Sequence, residues 1–92
     1  MIKSFRHKGL EKFYKTGSKA GIQAKHAAKL RRILGLLDVA TKAEDVNLPG
    51  YRLHPLTGKQ KEFFSVWVNG NWRIIFRFVG DDVELVDYLD YH

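Results

Sequence analysis

The order of apolar and polar positions divides the chain into a helical first half and a strand-rich second half. In "SFRHKGLEKFYKTG", Phe5, Leu10, Phe13 and Tyr14 recur at roughly helical spacing, and Gly17 is a natural stop. A stronger pattern runs from about Ile22 to Val39, where Ala27, Leu30, Ile33, Leu34 and Leu37 form one apolar stripe. At about 100° per residue, Lys25, Lys29 and Arg32 gather on the opposite side as a positive ridge. The connection "TKAEDVNLPGYRLHPLTG" holds one predicted helical turn near Ala43 to Val46 and a turn signal at Pro49-Gly50. Within it "YRLHPL" reads as a short strand that Pro55 confines to an edge or an end. "KEFFSVWV" and "NWRIIFRFV" flank Asn69-Gly70 as a hairpin, "GDD" marks the next turn, and "VELVDYLDYH" is the last strand. These elements predict an α+β fold: two N-terminal helices packed on a mostly antiparallel four- to five-stranded sheet, the fifth strand being a short one at Ile2–Ser4.

Alternation then assigns faces. Trp72, Ile74, Phe76 and Phe78 belong against the helix stripe, so Arg73 and Arg77 project from the other side. In a regular last strand Glu84, Val86, Tyr88, Asp90 and His92 share one side and Tyr91 takes the opposite one. The open sheet face is therefore expected to gather Arg73, Arg77, Asp90 and His92.

Composition sharpens this picture. Ninety-two residues make a single domain, 1–92, which buries about 60–65% of its unfolded surface around one modest core. The absence of cysteine excludes a disulfide framework and a thiolate zinc site. No apolar run reaches the ~18 residues of a membrane span, and "MIKSFRHKGL" lacks the apolar core of a signal peptide, so a soluble cytoplasmic protein with no membrane partner is expected. Formal net charge is +6, and it is unevenly placed. Residues 1–42 hold eleven Lys/Arg against two Asp/Glu, whereas residues 43–92 hold five against eight. A basic half in so small a chain points to a polyanionic partner, nucleic acid first.

Candidate chemistry is sparse. No phosphate-binding loop, GxSxG elbow or HExxH pair is present. His7 and His26 fall among helix lysines, and no special role is expected of either. His54 sits at a strand end beside Pro55, which restrains its backbone, and is either a loop residue or a site residue. Trp67 and Trp72 alternate with other apolar residues and read as core rather than as base-stacking platforms. No histidine has metal-ligand spacing, so neither a metal nor a cofactor is expected.

"MIKSFRHKGL", "YRLHPLTG", "NWRIIFRF" and "DYLDYH" together resemble HigB/GraT-type toxins of the RelE superfamily over essentially the whole chain. The resemblance implies a bacterial type II toxin with a RelE-like microbial-ribonuclease fold. It implies a ribosome-dependent mRNA endonuclease inhibited by a HigA-type helix-turn-helix antitoxin, the complex repressing its own operator DNA. Matched by position, the family's active-site residues fall on His54, Arg73, Asp90, Tyr91 and His92. The ribosome and its RNA are the expected partners of Lys25, Lys29, Arg32, Lys59 and Arg77. One departure stands out: where the family often has a basic residue this chain has Thr57, with Lys59 and Lys61 nearby. The implied chemistry is metal-free attack of a 2′-hydroxyl on the adjacent phosphorus. His54 and His92 would share the proton transfers, Arg73 would face the phosphate, Asp90 would orient or charge-stabilise an imidazole or accept a proton itself, and Tyr91 would stack on or position the nucleotide. A ParE-like gyrase-inhibiting toxin and a non-catalytic ribosome- or RNA-binding module are the two rival readings.

Overall fold

The computed structural model describes residues 1–90. Helix α1 (Lys8–Thr16) begins where the His7 ring Nδ1 accepts the Leu10 N–H at 2.9 Å, satisfying a first-turn donor that has no helical partner. It ends at Gly17, whose N–H bonds back to the Phe13 carbonyl. Helix α2 (Ala27–Val39) starts later than the apolar spacing predicts, after a 3₁₀ turn at Ala24–His26. The reason is steric. Gly21 lies so close to Gly9 of α1 that a Cβ on either would overlap the other's backbone. The chain makes a turn at that contact, and the helix begins only beyond it. The predicted single turn at Ala43–Val46 is present as a 3₁₀ turn.

The sheet is an antiparallel meander in the order β1 (His54–Pro55), β2 (Phe63–Asn69), β3 (Trp72–Val79), β4 (Asp82–Asp90). Pro55 lies on an edge strand, as a residue without an N–H should. The short element expected at Ile2–Ser4 appears as two parallel bridges to the far edge, Ile2 to Val83 and Phe5 to Val86. The β2–β3 loop is Gly70-Asn71 rather than Asn69-Gly70, because Asn69 pairs with Trp72 and an irregularity between Trp67 and Asn69 absorbs the extra residue. Gly70 takes the first central position with φ 56°, and Gly80 does the same with φ 60° in the β3–β4 loop, the pattern of type II′ hairpins.

β4 departs from regularity in a way that corrects the expected faces. Arg77 pairs with Glu84, but Ile75 pairs with Asp87, so two residues of β4 oppose one of β3. The extra residue is Leu85, in left-handed backbone at φ 56°. Glu84 consequently stays on the open face with Arg77, while Val86, Tyr88 and Asp90 move to the helix side, opposite Phe76, Ile74 and Trp72. The expectation that Asp90 shares the open face with Arg73 is therefore overturned; Leu89 is the residue across from Arg73.

On the covered face the α2 stripe of Leu30, Ile33, Leu34 and Leu37 meets Val66, Ile74, Phe76 and Val86, all 3% exposed or less. Burying each such side chain stabilises the fold by about 1.5–3 kcal/mol before entropy is charged. Asp38, near the end of α2, accepts hydrogen bonds from the Ile2 N–H (3.1 Å) and the Tyr14 hydroxyl (2.8 Å), tying the amino end and α1 to α2.

The Gly9–Gly21 contact makes a sharp prediction. Gly9→Ala forces two backbones apart and should cost roughly 1–3 kcal/mol, whereas Gly35→Ala in α2, where a methyl meets nothing within 4 Å, should gain about 0.5–1 kcal/mol. Thermal or urea unfolding of the two variants should give shifts of opposite sign.

Candidate active site

The open face carries one well-formed cleft of about 500 Å³. Its walls include Arg52, His54, Pro55, Thr57, Ser65 and Arg73. Sheet register explains why they meet. His54 pairs with Ser65, which pairs with Ile75, and Trp67 pairs with Arg73 two residues farther along. A two-residue step preserves the face, so His54 on the edge strand and Arg73 on an inner strand line the same hollow. Both His54 and Arg52 are exposed, so their polar ends are open to a ligand. Among the described residues the Arg73 guanidinium reaches the backbone carbonyls of Gly70 and Trp72, each at 3.4 Å. Lys59 and Lys61 are exposed on the turn that follows Thr57 rather than on the cleft wall. The second cation of the cleft is Arg52.

Sequence reasoning passed over Arg52, although it stands two residues before His54. It adopts left-handed backbone at φ 51°, a strained state for a side chain of this size. Its guanidinium lies 4.3 Å from the Trp67 ring centre, and the Lys29 ammonium lies 4.6 Å from the same ring and 5.2 Å from that of Tyr51. Trp67 is thus a half-buried aromatic bracketed by cations rather than core, and it links the α2 ridge to the cleft. Burial, with Arg32 and Arg52 adding repulsion, pulls the Lys29 pKa below its ordinary value.

Arg77 is differently occupied. Its Nε and Nη2 bind Glu84 at 2.6 and 2.5 Å, its Nη1 binds Glu62 at 3.2 Å, and its guanidinium covers Phe63 at 5.5 Å. Lys25, on the 3₁₀ turn before α2, and Arg32 on α2 remain exposed.

Asp90 lies in a second, polar depression on the helix side, with Lys25, His26, Asn69, Asn71 and Trp72. Both hollows border the Gly70 turn: Asp90 shares the second with Gly70, and Arg73 of the first bonds the Gly70 carbonyl. Tyr91 and His92 lie outside the described residues.

His26 proves to be more than a helix-face residue. It is 3% exposed, with Nδ1 2.6 Å from the Tyr88 hydroxyl. That hydroxyl also accepts the Gln23 N–H at 3.4 Å. The other ring nitrogen, Nε2, has no partner among the described residues. Trp72 stacks on Tyr88 with ring centres 4.5 Å apart, and His26 meets both rings edge-on at 5.7 and 6.0 Å. Burial, and then Lys25, push the His26 pKa below its ordinary value, while burial raises that of Tyr88.

Comparison with known proteins settles the family. The description "RelE-like toxin of type II toxin-antitoxin system HigB" belongs to a family profile that matches residues 3–92. The chain belongs to the HigB-like toxin family. It is 39% identical to Endoribonuclease HigB of Proteus vulgaris over 92 residues, covering the whole of both chains. It is 37% identical to Toxin HigB-1 of Vibrio cholerae serotype O1 over 94 residues, covering all of this chain and 98% of that protein. A HigB-like toxin of a type II system is paired with an antitoxin.

The lowered His26 pKa carries a stability signature. As pH falls below the ordinary imidazole value of about 6.5, the unfolded chain takes up a proton that the folded chain resists. The neutral His26 contribution is thus complete above that value and is lost as pH falls through the lower folded pKa. Urea unfolding between pH 7.5 and 5 should show this acid-side loss, and it should be smaller in His26→Asn.

Proposed function

We propose that this HigB-like toxin is a ribosome-dependent endoribonuclease that cleaves translated mRNA and so arrests translation. The observation that carries the reading is the cleft in which an accessible imidazole, His54, faces two arginines, Arg52 and Arg73. The name of the Proteus vulgaris relative, Endoribonuclease HigB, agrees with it. Cleavage of RNA by its own 2′-hydroxyl needs a base for that proton, an acid for the departing 5′-oxygen, and positive charge beside the phosphorane-like transition state. His54 supplies one proton-transfer group and His92 the other. The planar donor forks of Arg73 and Arg52 receive the non-bridging oxygens. Arg52 takes the place of the basic residue that the family often carries at the position of Thr57. Tyr91 stacks on or positions the nucleotide. Asp90, in the second hollow on the helix side of the sheet, orients or charge-stabilises an imidazole.

A cleft this open does not by itself hold flexible mRNA with the 2′-oxygen in line with the leaving group; a ribosome-bound mRNA arrives already held. Such positioning is worth several kcal/mol. Lys25, Lys29 and Arg32, extended through Trp67 to Arg52, form the cationic track for ribosomal RNA, and Lys59 adds to it on the other side of the cleft. Arg77 is left out of that track because its donors serve Glu62 and Glu84. The antitoxin is of the HigA helix-turn-helix type, the pair binds operator DNA, and the toxin acts in the bacterial cytoplasm.

Primer extension on mRNA in a translating extract tests the reading. Native protein should cut ribosome-bound message and leave naked message intact. His54→Ala, Arg73→Ala and His92→Ala should each cleave roughly 10²-fold more slowly with ribosome binding retained. Cleavage by His92→Ala at the native rate would overturn the role given to that residue, and gyrase inhibition without mRNA cleavage would overturn the whole reading. Charge reversal at Lys25, Lys29 and Arg32 should instead weaken ribosome binding and flatten its salt dependence, which co-sedimentation at several salt concentrations measures.

A further inference from the structure

We propose that His26 is a positioning residue for RNA cleavage, holding the end of β4 so that Asp90 keeps its place beside the Gly70 turn. The inference rests on the endoribonuclease reading, but its grounds are separate from the cleft. His26 grips the two neighbours that determine where Asp90 lies. Tyr88, two residues earlier on the same side of β4, bonds His26 Nδ1 at 2.6 Å. Trp72, the cross-strand partner of Asp90, stacks on Tyr88 and meets the His26 ring at its edge. The imidazole also forms part of the depression that holds Asp90.

A role in packing alone does not account for a histidine here. Among the described residues its Nε2 is buried without a partner, and such an orphaned polar atom is a net cost to the fold. An apolar ring would fill the same space without that cost. What an apolar ring lacks is the polar Nδ1. That nitrogen holds the Tyr88 hydroxyl at 2.6 Å, and with it the end of β4. Misplacement of reacting groups by about 1 Å costs as much as 10²-fold in rate, so a small release at Tyr88 is enough to matter.

The experiment compares His26→Phe, Tyr88→Phe, the double variant and His26→Asn, whose side-chain oxygen stands near the place of Nδ1. Cleavage rate at saturating ribosome, ribosome affinity and thermal midpoint are measured for each, together with the backbone amide shifts of residues 88–90. Positioning predicts that each Phe variant cleaves about tenfold more slowly per folded molecule, with ribosome affinity changed less than twofold. The double variant should be no slower than the singles, since both remove the same contact. His26→Asn should recover most of the rate, and the Asp90 amide shift should move in His26→Phe and return in His26→Asn. Nitrogen-15 shifts of the native His26 ring should show the neutral form. Native cleavage by folded His26→Phe, additive losses in the double variant, or no recovery in His26→Asn would each overturn the proposal. Failure of native protein to cleave mRNA would sink the endoribonuclease reading, while an unmoved Asp90 amide in His26→Phe would sink this inference independently of it.

Discussion

The functional end of the molecule depends on one residue of left-handed backbone, Leu85. A strand alternates its side chains strictly, so β4 cannot place Glu84 beside Arg77 and also deliver Val86 and Tyr88 to the core without one extra residue. The bulge supplies that residue at a cost of about 1–2 kcal/mol for a non-glycine side chain. The amino-terminal segment holds it in place. The Ser4 hydroxyl accepts the Leu85 N–H at 2.9 Å, and the Ser4 carbonyl accepts the Val86 N–H at 3.1 Å. A segment eighty residues away in sequence thereby fixes which side of the sheet Asp90 occupies.

That parity shift divides the site into two hollows around the Gly70 turn. The cleft on the open face presents cations and an imidazole to solvent, as a phosphodiester requires. The depression on the helix side is lined by amides, a lysine, a buried histidine and the Asp90 carboxylate. Were Asp90 on the open face, its charge would lie among the groups meant to receive phosphate oxygens and would offset part of their field. Placing it behind the turn keeps the positive potential of Arg52 and Arg73 intact.

Helices, hairpins and the core stripe were legible in the sequence because each rests on local spacing: Leu30, Ile33, Leu34 and Leu37 repeat at the helical period, and the strand pairs flank glycine turns. The missed features are non-local. Leu85 has the composition of an ordinary strand residue, and only the pairing of Arg77 with Glu84 and of Ile75 with Asp87 reveals the bulge. His26 looked like one more polar residue among helix lysines because Tyr88, the partner that gives it meaning, stands 62 positions later. Gly21 gave no warning that it would delay α2, since its constraint is the backbone of Gly9. Trp67 read as core because alternation does not register the two cations that bracket it.

The two arginines of β3 show how far the sheet itself assigns roles. Arg73 and Arg77 are the same residue type on the same strand and the same face, and from the sequence alone both suit a phosphate equally well. Their cross-strand neighbours differ. Arg77 faces Glu84, with Glu62 in reach, and is about one-third exposed. To bind an anion it would have to leave two carboxylates and uncover Phe63. Arg73 faces Trp67 and Leu89, and among the described residues its guanidinium touches backbone carbonyls at 3.4 Å and no carboxylate. Among those residues an incoming phosphate therefore displaces no carboxylate at Arg73 and must displace two at Arg77. The difference is in the free energy of vacating the guanidinium, since the charge is the same in both. It leaves Arg73, which lines the cleft with His54, as the arginine ready to receive an anion.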